Sequence, residues 1–134
     1  MKIKTFIKNN QLSMSVTKVA VRPGSIMDPE WEANHYQVKI TNASNNESFT
    51  TFYSMGVGIK GLPKIVDVLN TIALESGDYL NSSSFEDWAS ALGYSEDSRK
   101  AFNIYRECGH MARSMKRLLG KKQTDILINE VERL

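Results

Sequence analysis

The amino-acid sequence predicts an α+β protein. An N-terminal antiparallel sheet of about three or four strands is expected to pack against a C-terminal bundle of three or four helices, one of them long (about 96–119). Three observations carry this expectation. Through residue 58 the apolar residues alternate with polar ones, the period of half-buried strands. From residue 62 onward they recur every three or four positions, the period of helices. Glycine, proline and serine signals separate the runs. A chain of 134 residues fits one domain, 1–134. At this size it can bury roughly two-thirds of its unfolded surface and needs no staple.

In chain order, Ser13 to Arg22 alternates Met14, Val16, Val19 and Val21, with a change of phase at Lys18 that suggests a bulge. Arg22-Pro23-Gly24-Ser25 signals a turn, and Pro29 continues the loop. His35 to Thr41 sets Tyr36, Val38 and Ile40 against His35, Gln37 and Lys39. Asn42 to Asn46 is turn-rich, and Ser48 to Ser54 is again β-branched and aromatic, which together spell a hairpin. Pro63 suits the first turn of a helix that Gly77 would end. Ser84 is the expected N-cap of a short helix, with Glu86 and Asp87 in its first turn and Gly93 as its stop. Ser95 to Ser98 repeats the start signal for the long helix, which Gly120 closes. A last helix spans Thr124 to Arg133.

Hydrophobic residues make up 41% and charged residues 24%, the balance of an ordinary globular protein. No run of 18 apolar residues occurs and MKIKTFIKNNQ lacks a signal-peptide core, so no membrane association and a cytoplasmic location are expected. A lone cysteine, Cys108, leaves no disulfide and no metal cluster. Net charge is only +2, but it is unevenly spread. Residues 65–97 hold seven acids and no base; residues 98–122 hold eight bases and one acid. Such blocks speak to partners or internal pairing rather than to fold.

Gly56-Val57-Gly58-Ile59-Lys60-Gly61 is a literal G-x-G-x-x-G. A dinucleotide turn needs a parallel strand–helix–strand unit, and the helix after this loop leads to a polar stretch and a second helix instead. Two readings stay open. Gly56, Gly58, Lys60 and Gly61 could form an anion-binding turn at a helix N-terminus, serving a small nucleotide or other anion. Alternatively the glycines serve only a strand-to-helix corner, the commoner use of turn glycine.

A catalytic set is not evident. His35 and His110 are the only histidines. Cys108 and His110 diverge by about 200° on a helix and cannot pair locally. Cys108 falls on the apolar side and reads as a packed thiol. Glu86 and Asp87 read as cap acids. Trp31 is a candidate surface anchor. The chain is expected not to be an enzyme and to need no cofactor or metal.

The most regular pattern lies on the long helix. At 100° per residue, Arg99, Asn103, Arg106, His110, Arg113 and Arg117 fall within about 40° of one line. Ile104, Cys108, Met111, Ala112, Met115, Leu118 and Leu119 fall opposite. The row is either a plain solvated face or a surface that grips phosphates or an acidic protein, for which arginine forks are suited. It could also pair with the acidic block of its own chain or of a second copy, making a homodimer. No aromatic residue interleaves it at stacking spacing, which speaks against single-strand binding.

Tyr53 to Gly58, Pro63, Asp67 to Leu69, Ser84 to Trp88 and Gly93 to Ala101 carry a resemblance. Over about residues 35–120 the chain resembles a family of small uncharacterised phage and prophage proteins. Their pattern is (Phe/Tyr)-Ser-Met-Gly-x-Gly, then Pro and Asp-Val-Leu, then Ser-Phe-Glu-x-Trp, then Gly-Tyr-x-x-Asp-Ser-Arg-Lys-Ala. Family members often carry His at the position of Ile59, so no role of that His transfers here. The resemblance implies a setting, a phage-borne accessory gene acting in the bacterial host's cytoplasm. Such genes commonly encode anti-defence factors, including inhibitors of CRISPR nucleases. The expected function is a non-enzymatic anti-defence inhibitor that binds a host defence protein or nuclease complex through Arg99, Asn103, Arg106, His110, Arg113 and Arg117. The alternative is a nucleic-acid-binding phage regulator.

Overall fold

The structure, a computed structural model, describes residues 2–19, 33–56 and 59–132. The elements run α1 (Ile3–Asn9), β1 (Leu12–Val19), β2 (Ala33–Asn42), β3 (Glu47–Gly56), α2 (Ile65–Leu80), α3 (Phe85–Leu92), α4 (Arg99–Leu119) and α5 (Lys121–Glu132). This is the expected α+β architecture: an antiparallel sheet of three strands, order β1-β2-β3, followed by a helical bundle. Helix α1 is the element that alternation of residues did not reveal. Its seven residues carry a single buried side chain, Phe6, too little for a periodic signal.

Alternation decides which sheet face is inward. Tyr36, Val38 and Ile40 of β2 are buried with Phe49 of β3 and Leu12 of β1, while Ser13, Ser15, Thr17, Gln37 and Lys39 are exposed. The β1–β2 register runs unbroken from Leu12↔Asn42 to Val19↔His35, so the phase change at Lys18 is not a bulge. The strand stays in register, and Val19 simply joins His35 on the face away from the core.

On the inward face lie Val68, Leu69, Ile72 and Ala73 of α2, Met115, Leu118 and Leu119 of α4, Leu127 and Val131 of α5, and Phe6. Helix α4 is fixed to the sheet at its last turn, where carbonyls have no intrahelical partner. Asn42, buried at the end of β2, donates its Nδ2 to the Leu118 carbonyl at 2.7 Å, and Asn45 donates to the same oxygen at 3.0 Å. The β2–β3 turn thus caps α4 and sets its direction over the sheet.

Several helix boundaries differ from the expected ones. Gly77 does not end α2; it is buried inside the helix, beside Ala73 and Ser76, on a small-residue face. Lys64 is the N-cap of α2, so Pro63 lies just before the helix and not in its first turn. Helix α4 begins at Arg99, because the Ser98 hydroxyl accepts from the Ala101 N–H at 3.1 Å and makes Ser98 the cap. Helix α5 starts at Lys121. The short helix meets its expected caps: Ser84 accepts from the Asp87 N–H at 3.1 Å, and Gly93 stops it at φ 80°.

Gly120 joins α4 to α5 at φ 83°, ψ 160°, a region essentially reserved for glycine. A Cβ there would meet no atom within 4 Å, so backbone strain alone opposes a side chain. Gly120→Ala is expected to cost about 1–3 kcal/mol in chemical denaturation. An unchanged midpoint would contradict a strained junction.

Candidate functional site

The amphipathic division of α4 places its side chains. Ala101, Cys108, Ala112, Met115, Leu118 and Leu119 are buried, whereas Arg99, Asn103, Arg106, His110, Arg113 and Arg117 are all exposed. Seven residues separate Arg99, Arg106 and Arg113 in turn, about 10 Å along the axis per step. Arg117 has Glu47 within 3.9 Å, a long contact between exposed groups that contributes little. Among the described residues, no carboxylate forms an ion pair with Arg99, Arg106 or Arg113. The acidic block lies elsewhere, on α2, α3 and the turn before α4, and does not neutralise this row.

The row borders a groove that periodicity on α4 alone does not reveal. Tyr79 comes from the last turn of α2 and stands against Tyr105 of α4, ring centroids 4.9 Å apart. With Arg106, Gly109, His110 and Arg113 they line a cavity of about 230 Å³. Gly109 permits this approach: a Cβ there would sit 2.9 Å from Cζ of Tyr79. Phe102, also on α4, is 44% exposed and packs edge-on to Phe85 at 5.2 Å. The cationic row therefore has aromatic neighbours that spacing along α4 does not reveal, because one of them is supplied by a different helix. A glycine in the middle of an otherwise well-formed helix was the available signal, since it costs stability unless something must come close.

Burial pushes the Tyr105 phenol above its ordinary value of 10.0; the neighbouring Tyr79 and Glu86 push the same way. A phenol held protonated in the folded chain favours folding fully below the unfolded-state value. That contribution is lost as pH rises through the higher folded-state value. Unfolding free energy of the wild type should therefore fall more steeply above about pH 10 than that of Tyr105→Phe. Parallel curves for the two proteins would show that Tyr105 does not carry this dependence.

The glycine loop follows β3 and is described only in part. Gly56 ends β3, and Gly58 lies outside the described residues. Lys60 and Gly61 are exposed, and Gly61 takes φ 92°. Leu62, Pro63 and Lys64 then separate these glycines from the first residue of α2. The sheet is wholly antiparallel, and among the described residues no strand follows α2, so the parallel unit of a dinucleotide site is not formed. Ile59 and Leu62 expose apolar side chains beside Lys60.

His35 is buried, with Nδ1 2.8 Å from the Ser54 hydroxyl directly across the β2–β3 pair. Cys108 is a buried free thiol. Among the described residues no group of three His, Cys, Asp or Glu could hold a metal ion, and no helix is long and apolar enough to cross a membrane. Trp31 lies outside the described residues. The chain matches no protein-family model, no curated protein and no solved structure.

Proposed function

We propose that the protein is a non-enzymatic binding protein that docks the cationic face of α4 on an anionic surface of its partner. The setting implied by the sequence resemblance makes it a phage-borne anti-defence inhibitor, with a host defence protein or nuclease complex as partner. One observation carries the docking reading: four arginines, Asn103 and His110 stand exposed along one line, and three of those arginines have no carboxylate of the described chain to pair with. Arginine keeps its charge and presents its donors in a flat fork, so such a row suits planar anionic groups on another molecule. Exposed unpaired charge also speeds encounter with a surface of opposite sign.

The test is capture of bacterial host proteins with the wild type and with the Arg106→Glu, Arg113→Glu, Arg117→Glu variant as parallel baits. A defence nuclease or effector retained by the first and lost by the second is the expected result. A complex that survives the triple reversal removes the row from the mechanism. Direct nucleic-acid binding is the competing reading, favoured by the aromatic residues beside the row. Fluorescence anisotropy at two salt concentrations separates them, since affinity for a polyphosphate falls steeply with salt.

A further inference from the structure

The row and its aromatic groove together point to a more specific chemistry. We propose that the groove walled by Tyr79 and Tyr105 and edged by Arg106, His110 and Arg113 is a binding site for a phosphoryl group. This rests on the reading of the α4 face as the binding face and names the ligand that its middle section takes.

Donors converge on this groove from two helices. Arg106 and Arg113 lie on the same side of α4, two turns apart, with His110 between them, and all three border one cavity of about 230 Å³. Each guanidinium offers a fork of N–H donors with a fixed positive charge. Tyr79 of α2 and Tyr105 of α4 line the same cavity, each with an O–H group. A carboxylate presents two oxygens in one plane. A phosphoryl group presents three or four, spread tetrahedrally, and so can accept from the helix side and the tyrosine wall at once.

The absence of a side chain at Gly109 makes the wall. Tyr79 occupies the space where a Cβ would lie, within 3.1 Å for its ring carbons and hydroxyl alike. The tyrosine pair, ring centroids 4.9 Å apart, lines the groove together with the exposed cations. A phenol with a value of 10 or above is protonated at neutral pH, so the Tyr105 hydroxyl is a donor there.

The probe is orthophosphate, titrated by calorimetry against chloride at matched ionic strength, with a nucleoside 5′-monophosphate and a single-stranded oligonucleotide carrying or lacking a 5′-phosphate as further arms. Orthophosphate is expected to bind, and the Arg106→Ala, Arg113→Ala double variant is expected to bind it at least about tenfold more weakly. Gly109→Ala should displace the Tyr79 ring and weaken phosphate binding. Tyr79→Phe keeps the packing and removes one donor; it serves if Gly109→Ala does not fold. Preference for the 5′-phosphorylated oligonucleotide assigns the site to nucleic-acid ends, and preference for the mononucleotide to free nucleotides; either supports a phosphoryl site. No phosphate response beyond chloride, or an undiminished response in the double arginine variant, overturns it. If docking nevertheless persists in the wild type and fails in the triple reversal, only the phosphoryl site is lost and the docking reading stands.

Discussion

Trp88→Ala is expected to cost the protein about 3–5 kcal/mol, the range for removing a large aromatic side chain from a packed interior. Trp88 heads the largest fully buried side chains, at 1% exposed. Tyr94 stacks on it at 5.4 Å with the rings 10° from parallel, Phe85 lies at 6.2 Å, and Tyr105 meets it at 5.4 Å with a 61° tilt. With Ala89, Ala101 and Cys108 it forms a cluster separate from the sheet core. Helix α3 has only eight residues, and Trp88 and Ala89 are its buried ones, so removing the indole leaves it little to hold. The damage should centre on α3 and the first half of α4, where Tyr105 sits. Urea denaturation followed by circular dichroism measures the loss; a value below about 1 kcal/mol would contradict the assignment of Trp88 as the anchor. Trp88→Phe should cost much less, because the indole N–H has no acceptor among the described residues and its removal forfeits no hydrogen bond.

The second large effect concerns binding and leaves the fold in place. Arg106→Glu, Arg113→Glu and Arg117→Glu together should weaken the partner complex by several kcal/mol, more than about a hundredfold in affinity. All three side chains are exposed, and reversal turns each attraction across the interface into repulsion. Stability should change little, by about 1 kcal/mol. Arg117 loses only its long contact with Glu47, and new acids near the end of α4 meet an unfavourable helix dipole. Thermal denaturation of the free variant beside calorimetric titration of the complex distinguishes lost contact from lost fold. Equal affinity for both proteins would mean that some other face makes the contact.

Much of the architecture was readable from spacing, for identifiable reasons. Tyr36, Val38 and Ile40 alternate because one face of β2 must be buried. Met115, Leu118 and Leu119 follow the helical period because the same holds for one side of α4. Ser84, Gly93 and Gly120 act within a few residues of themselves, so their capping roles needed no knowledge of the rest of the chain. Gly77 misled because glycine often ends a helix, whereas here it is buried within α2 and the helix runs on to Leu80. Helix α1 was missed because one buried phenylalanine makes no pattern.

Residue order by itself determined which side of α4 is charged and which is apolar, since helical geometry is local and the 3.6-residue turn sorts side chains before any packing occurs. Only the tertiary structure decided that the arginines stay clear of the acidic block, that Asn42 caps the end of their helix, and that Tyr79 is carried to Gly109. Those outcomes depend on how α2 crosses α4, a relation between segments far apart in the chain that no local period encodes.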